Sequence, residues 1–280
     1  MELYSVDIPT DTTSRINAAY EFIKEGKFEE VDFSLIKEAR EIGAKLCGIK
    51  KVKLFSFNNE KIAKSNRQGK DFSIIMHLAP HKLSGYNACP MASQGCIRAC
   101  LNTSGHGAYS SVQKARIKKT KLFFEHRALF AIILAAELEQ WNKAVKKKGK
   151  KLAVRCNGTS DIIWEKIFPW MFSQFSDVTF YDYSKIDKRF KGKLPENYTL
   201  TFSRGENNKR KALQIINQGH NVAVVFTDLN KAIQEGHKGY RVIDGVSTDR
   251  RYDDNKSGVV VGLKSLAKAR NDMSGFVVRN

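Results

Sequence analysis

The sequence contains no hydrophobic run long enough to span a lipid bilayer. Its longest apolar stretch covers Ala128 to Ala136, only nine residues, whereas a transmembrane helix needs about 20. The first residues, MELYSVDIPTD, also lack the basic start and apolar run of a secretory signal. We therefore expect a cytoplasmic protein without a membrane partner.

Acidic residues are scarce relative to basic ones. The chain has 29 Asp and Glu against 48 Lys and Arg, which gives a formal net charge of +19. An excess of this size favours a polyanionic partner, and nucleic acid is the commonest one. A general solubility charge is the alternative, because charge alone does not separate specific from loose binding.

The cysteine content does not suit a disulfide framework. There are five cysteines, an odd number, and in the expected reducing compartment they favour metal binding or free thiols. The six histidines show neither an HExxH motif nor paired helical spacing. The sequence therefore assigns no mechanism to a histidine.

Strands and helices alternate from about residue 72 onward. The predicted strands are SIIMHL, KLAVRC, VTFYDY, YTLTFS, NVAVVF, YRVID and GVVVGL. Helices are predicted at about 110–147, 161–174, 207–218, 230–235 and 263–270. Apolar strands separated by helices indicate an α/β fold with parallel strands. Seven such strands predict a (β/α) barrel, incomplete or degenerate because some connections are short, with an open doubly wound sheet as the alternative.

The N-terminal part of the chain has a different pattern. Residues 1–50 predict a helical extension with two amphipathic helices between 13 and 47, and KVKLFSF at 51–57 predicts a further strand that forms a strand pair with the first one of the series. The predicted organisation is therefore an extension over 1–50 and a barrel-like domain with the cysteine site over 51–280.

Three cysteines lie within twelve residues, at Cys89, Cys96 and Cys100. Cys96 and Cys100 are four apart, so their thiols share one face of a helical turn. Pro90 and Gly95 let the loop fold back and bring Cys89 close. Three thiolates that converge beside a strand end predict a site for a soft metal or an iron–sulfur cluster.

The nature of this metal site has two interpretations. A 4Fe-4S cluster, or 3Fe-4S after loss of iron, would be held by the three cysteines and leave one iron open. Structural zinc wants four ligands, and the fourth could be His77, His81 or His106. Cys156 ends the next strand and could also approach the cluster, although its alternation with Val154 suggests core packing. Cys47 is expected in the core.

Polar residues follow the predicted strands, where chemistry collects in parallel α/β folds. Asn157, Thr159 and Ser160 form a strand-to-helix turn that could bind a small anion or cofactor, and a structural helix cap is the alternative. Arg204 ends a later strand and could line the same pocket.

Asp182 and Lys185 are the candidate acid–base residues. They lie in the segment YDYSK at a strand end, and either could act in proton transfer if its pKa were shifted. A hydrogen-bonded network at the rim of the sheet is the alternative.

Two further segments carry concentrated charge. Lys114, Lys118 and Lys121 recur at helical spacing after the cysteines and predict a stripe that guides nucleic acid to the site, with a solvated helix face as the alternative. The segment from Asp249 to Asp254 alternates in sign and predicts a loop of surface ion pairs.

Several segments together resemble the bacteriophage gene product 88 family. They are CPMASQGCIRACLNTSG, RCNGTSD, FYDYSK, VIDG and GVVVGLK, from about residue 70 to the C-terminus. The resemblance implies a phage protein with a three-cysteine site, present in the host cell during infection. By position, the residues it marks are Cys89, Cys96, Cys100, Asn157 to Asp161, Asp182 to Lys185, and Asp244. Cys156 is outside this pattern.

A looser resemblance links the chain to radical S-adenosylmethionine enzymes. These enzymes also carry three cysteines in the loop after the first barrel strand, and there they bind a four-iron cluster with one open iron. The spacing departs from theirs, with six and three intervening residues here, and Asn157-Gly158-Thr159 replaces their Gly-Gly-Glu segment. This resemblance implies S-adenosylmethionine as a possible cofactor.

Two functions follow from these observations. The first is an enzyme that acts on a nucleic acid or nucleotide with an open-iron cluster on the three cysteines. The second is a non-enzymatic, nucleic-acid-binding phage protein whose iron–sulfur or zinc site is structural or senses redox state.

Overall fold

The computed structural model describes residues 2–69, 71–254 and 257–280. Its helices are α1 Thr10–Lys24, α2 Phe33–Cys47, α3 Glu60–Gln68, α4 Gln94–Arg98, α5 Ser110–Glu125, α6 Arg127–Lys146, α7 Trp164–Ile167, α8 Trp170–Gln174, α9 Lys209–Asn217 and α10 Leu229–Glu235. Its strands are β1 Phe55–Ser56, β2 Asp71–Met76, β3 Lys151–Arg155, β4 Thr179–Ser184, β5 Tyr198–Ser203, β6 Val222–Phe226, β7 Val242–Asp244, β8 Val260–Lys264 and β9 Val277–Val278. Within these ranges, no helix has the length and apolar character that crossing a membrane requires.

All the strands belong to one sheet in the order β1-β2-β3-β4-β5-β6-β8-β7, and β9 also pairs with β6. β1 is antiparallel to β2, and every other pair is parallel. The predicted α/β class is therefore confirmed. The order of β2 to β6 follows the chain, without the reversal of a doubly wound sheet. Because the short edge strands β1 and β7 do not pair in the described residues, the sheet is open and a barrel is not confirmed.

Helix α6 is the centre of the core. Its residues from Leu129 to Leu138 are all buried, and they include most of the nine-residue apolar run in the sequence. A helix that is apolar on every side is stable only when other elements cover every side. Here β3, α1, α2 and α5 all contact α6.

The N-terminal extension supplies part of that cover. Ile16 and Ile23 of α1 and Ala39 of α2 are buried against the core. Gly43 of α2 permits the close approach, since a Cβ atom there would lie 2.8 Å from Cδ1 of Ile133 on α6. The extension is thus continuous with the hydrophobic core of the rest of the chain.

Helix boundaries differ from the sequence-based prediction in three places. The predicted helix 110–147 is two helices that break at His126, and the predicted helix 161–174 is α7 and α8, which break at Phe168. The second break has a local cause, because Pro169 disfavours helical backbone at the residue before it. The predicted helix 263–270 is a short 3₁₀ helix at Ala267–Asn271.

Helix α3 lies where the sequence predicted only a polar stretch. Asn59 caps it by accepting a hydrogen bond from the backbone N–H of Ile62. The helix has little apolar surface, and only Ile62 and Ser65 are buried in its described side chains. Its position depends on polar contacts with a distant part of the chain.

Those contacts centre on Asp249, in the segment after β7. Its carboxylate is buried and accepts hydrogen bonds from Arg155 Nη1 at 3.1 and 3.2 Å and from the Tyr181 hydroxyl at 3.2 Å. Lys61 Nζ of α3 lies 2.9 Å from the same carboxylate, and the Asp249 N–H donates to Ser65 Oγ. This segment therefore joins α3 to β3 and β4 across the open sheet.

This arrangement corrects the interpretation of residues 249–254 as a loop of surface ion pairs. Asp249 and Arg251 are each about 1% exposed. Burial alone would raise the pKa of Asp249, but the neighbouring Arg155 and Lys61 hold it well below its ordinary value. Arg155 of β3 and Lys61 of α3 supply the positive charge that allows this carboxylate to be buried, and both are far from it in sequence.

We expect Asp249→Asn to lower the free energy of unfolding by about 3 kcal/mol at neutral pH, because it leaves the largely buried Arg155 and the half-buried Lys61 without their carboxylate. The folded-state pKa of Asp249 is depressed, so its contribution is complete above the unfolded pKa of about 3.9 and is lost as the pH falls below it. The difference between variant and wild type should therefore shrink below about pH 4. Urea unfolding at several pH values measures this. Asp253→Asn is the control, since its ion pair with Arg250 is exposed and should cost at most about 1 kcal/mol.

Candidate metal and ligand site

A cavity of about 360 Å³ opens at the carboxyl ends of the parallel strands. Cys89, Cys96 and Cys100 all line its wall. The structure therefore brings the three predicted cysteines to one place, at the edge of the sheet where ligands bind in α/β folds. Its volume falls in the range of small-molecule sites, roughly 300–1,000 Å³.

Helix α4 carries Cys96 and ends at Arg98, so Cys100 lies beyond it in extended backbone and not on the same helical turn as predicted. Ser93 caps the helix by accepting a hydrogen bond from the Cys96 N–H at 3.4 Å. Glu206, in the loop after β5, accepts hydrogen bonds from the Ser93 hydroxyl at 2.7 Å and from the Gly95 N–H at 2.6 Å. A five-residue helix has little stability of its own, so this carboxylate from a distant loop fixes where Cys96 and Cys100 lie.

Sequence reasoning missed Glu206. It stands in the segment Ser-Arg-Gly-Glu, which the sequence places at a strand end, and that position was the available signal. Gly95 also has a packing role, because a Cβ there would lie 2.2 Å from Ser274 Oγ and 2.7 Å from Glu206 Oε1.

The cysteine thiols are in a desolvating environment. Burial raises the pKa of Cys89 to about 12, and its thiol donates to the carbonyl of Thr159 at 3.5 Å. Burial also raises the pKa of Cys100, while the charges of Arg116 and Lys185 act in the opposite direction. In the protein alone, burial therefore favours the neutral thiol form of Cys89 and Cys100.

The thiols share the cavity wall without converging on one point. In residues 2–69, 71–254 and 257–280, no group of three or more His, Cys, Asp or Glu side chains is arranged to hold a single metal ion. Of the three histidines considered as zinc ligands, His81 lines the cavity. His77 is half-buried, and desolvation lowers its pKa. His106 is exposed beside Tyr109.

The other two cysteines lie in the core. Cys156 is 2% exposed and Cys47 is fully buried, and both belong to the main hydrophobic cluster. Along β3 the side chains alternate, so Arg155 lines the cavity while Cys156 does not.

The Asn157 loop is a structural turn as well as part of the wall. Asn157 Oδ1 accepts hydrogen bonds from Ser160, the Ile162 N–H and the Trp164 indole, and Thr159 donates to the Leu78 carbonyl. The polar side chains of this loop are thus already bonded within the protein. These residues also line the cavity, and their role in binding a ligand stays a prediction.

Asp182 is not among the residues that line the cavity, and its role as a candidate catalytic residue stays a prediction. It is 1% exposed and accepts hydrogen bonds from the Asn157 N–H at 2.6 Å and the Tyr198 hydroxyl at 2.8 Å. Burial raises its pKa to about 7, against the opposing effect of these donors and of nearby arginines. The shifted pKa comes from burial behind Asn157, which itself lines the cavity.

Lys185 and Arg204 do line the cavity. Arg204 Nη1 donates to the carbonyls of Gly275 at 2.7 Å and Phe276 at 2.8 Å, so it anchors the C-terminal segment. Lys185 Nζ lies 5.5 Å from the centre of the Phe276 ring. Among the described residues it has no hydrogen bond or ion pair from its ammonium group, which leaves its three donors for a ligand.

The predicted lysine stripe on α5 is not a free basic surface. Lys121 is buried and pairs with Glu2. Lys118 donates to the Cys47 carbonyl and covers the Tyr4 ring. The N-terminal segment occupies both, and of the three only Lys114 is exposed.

Comparison with known proteins gave one match. Residues 53–280 match the model of a family described as Gene product 88, which confirms the predicted family resemblance; similarity to radical S-adenosylmethionine enzymes is not shown. A search of the curated proteins found no match, and neither did a search of the solved structures.

We expect Glu206→Ala to speed alkylation of Cys96 in the metal-free protein by about tenfold, since loss of a hydrogen bond to a charged group costs about 1.5–3 kcal/mol and frees the start of α4. Iodoacetamide labelling followed by mass spectrometry measures the rate. Glu196→Ala, at an exposed glutamate, is the matched control. An unchanged Cys96 rate in Glu206→Ala would show that α4 holds its position without this carboxylate.

Proposed function

We propose, from the premise that this chain belongs to the gene product 88 family, that its cavity binds an iron–sulfur cluster through Cys89, Cys96 and Cys100. The observation that carries this proposal is the common wall of the three thiols at the carboxyl ends of parallel strands. Cysteine thiolate is the usual protein ligand of such clusters.

The donor set supports a cluster with one open iron. The wall has three cysteines, while Cys156 faces the core. Asp161, the one carboxylate in the lining, already accepts hydrogen bonds from Ser184 Oγ and the Lys185 N–H, each at 2.8 Å. No other anionic side chain in the described lining competes for the fourth position.

Zinc is less favoured by the same geometry. A structural zinc ion takes four ligands about 2.0–2.3 Å away in a tetrahedron. A cluster carries its ligands around a larger body, so its thiolates stand further apart than those of one ion. Zinc would need His81 of the wall as its fourth ligand, whereas a cluster takes the three thiols and leaves one iron open.

The rest of the cavity supports binding of a small anionic substrate. Lys185, Arg204 and Lys264 lie on its wall, and Lys185 has its ammonium donors free within the described structure. A cluster with an open iron supplies a Lewis-acid or electron-transfer centre. In this enzyme Lys185 would hold the anionic group of a nucleotide or of S-adenosylmethionine, and the apolar wall would exclude water. The free thiols fit the reducing cytoplasm of the host cell.

A second function is favoured by the net charge of +19. A nucleic-acid-binding phage protein could carry the same site for structure or redox sensing, without catalysis. The two proposals differ in whether one iron accepts an external ligand.

We expect anaerobically purified protein to be brown, to absorb broadly near ~400 nm, and to contain about four irons per chain. Cys96→Ala should lose most of that iron. Cys156→Ser should retain it, because Cys156 lies in the core; Cys156→Ala serves if the serine variant does not fold. Iron, sulfide and zinc analysis are the measurements, with Cys47→Ala as a control for loss of a core cysteine. Colourless protein with one zinc per chain would contradict the proposal.

We expect the electron paramagnetic resonance spectrum of the reduced protein to change when S-adenosylmethionine or a small thiol is added. Lys185→Met should keep its iron but bind S-adenosylmethionine about tenfold more weakly, since it loses a charged hydrogen-bond donor. Lys188→Met, an exposed lysine in the same segment that is outside the wall, should bind like wild type. No spectral response to either ligand in the wild type would favour the structural or redox-sensing function.

A further inference from the structure

The mouth of the cavity has an apolar part that solvent reaches. Leu101, Val246 and Leu266 line the cavity, yet they are 53%, 43% and 46% exposed. Three large apolar side chains that are both on a cavity wall and open to water favour contact with a partner.

Exposed basic residues stand on the same segments. The segments that form the mouth carry five of them: Lys82, Arg98, Lys264, Lys268 and Arg270. Lys264 lines the cavity, and each of the other four is adjacent in sequence to a residue that lines it; we call this set the basic rim.

Acidic residues next to the basic rim are already bonded within the protein. Glu206 holds the start of α4, and Asp161 bonds to Ser184 and the Lys185 N–H. Asp244 accepts from the Val246 N–H, and Asp272 accepts from Ser274 Oγ and the Val277 N–H. These hydrogen bonds fix the four carboxylates without cancelling their charge. The five cations of the basic rim, together with Lys185 and Arg204 on the wall, outnumber them.

We propose that the basic rim binds single-stranded nucleic acid, with phosphates on Lys264 and Lys268 and an unstacked base against Leu266. Single-stranded nucleic acid would then be the substrate class of the cavity, and this part of the proposal rests on the proposed function. The binding of nucleic acid to the basic rim does not depend on it. Charge complementarity selects a polyanion. Exposed apolar side chains beside the charges select single strands, because a duplex hides the faces of its bases.

The location differs from the α5 stripe that the sequence predicted. Lys118 and Lys121 of that stripe are occupied by the N-terminal segment. Lys264 ends β8 and Lys268 follows it, so both lie at the edge of the sheet that holds the cysteines. Lys147 and Lys148 precede the start of β3 and lie at the opposite edge; both are exposed, which makes them a matched control.

The test is fluorescence anisotropy with a labelled single-stranded oligonucleotide and the full chain at a series of salt concentrations. The pair Lys264→Gln and Lys268→Gln should weaken binding at least tenfold. It should also reduce the slope of log affinity against log salt by about 1.4, since each phosphate contact to a single strand contributes about 0.7. The pair Lys147→Gln and Lys148→Gln should change affinity less than twofold. Equal effects of the two pairs, or no binding at low salt, would overturn the proposal.

A second variant tests the base contact. Leu266→Ser should weaken binding several-fold without changing the salt slope, because it removes apolar contact and no charge. An oligonucleotide with 2-aminopurine should brighten on binding to wild type, as the base unstacks, and less with Leu266→Ser. Tighter binding of duplex than of single strand, or an unaffected Leu266→Ser, would contradict the single-strand assignment.

Metal analysis of the same samples separates this proposal from the cluster proposal. Nucleic-acid binding that depends on Lys264 and Lys268 in protein without iron would support the docking surface and contradict the cluster. Iron-loaded protein that binds no oligonucleotide would support the cluster and contradict the docking surface.

Discussion

A single buried carboxylate, that of Asp249, links parts of the open sheet that strand pairing does not join. The edge strands β1 and β7 do not pair with each other in the described residues. Asp249 follows β7, and it connects that edge to α3, β3 and β4 through Lys61, Arg155 and Tyr181. Because Lys61 and Arg155 also line the cavity, the ion pairs that stabilise the fold form one wall of the candidate site as well. The buried charge of Asp249 is tolerated there because two cations, Arg155 and Lys61, lie against it.

The polar residues at the carboxyl ends of the strands divide into two groups. Four of these side chains accept hydrogen bonds from neighbouring loops: Asn157, Asp161, Asp182 and Glu206. They hold the cysteine loop and the wall in place, as pre-organised sites require. The three thiols and the Lys185 ammonium retain capacity for a ligand. The groups available for chemistry are therefore few, and those around them act as scaffold.

The N-terminal extension decides which basic residues remain available. It covers α5 and α6 and occupies Lys118 and Lys121, although the family match begins only at residue 53. The basic residues behind the net charge of +19 therefore have different roles in different parts of the structure. On one helix they stabilise the packing of the extension, and at the cavity mouth they stay exposed.

The sequence by itself determined the α/β alternation, the seven apolar strands and the grouping of three cysteines, because apolar periodicity and close spacing are local properties. It also predicted the core position of Cys47 from its apolar neighbours, while for Cys156 it left both core packing and an approach to the cluster open. Only the tertiary structure decided that the sheet stays open, that Asp249 is buried, that Glu206 holds α4, and that Lys121 faces inward. Each of these depends on a partner far away in the chain, 184 residues for Asp249 and Ser65 and 119 for Lys121 and Glu2. The charge pattern alone predicts that such residues are exposed, because the opposite charges that permit their burial come close only in the folded chain.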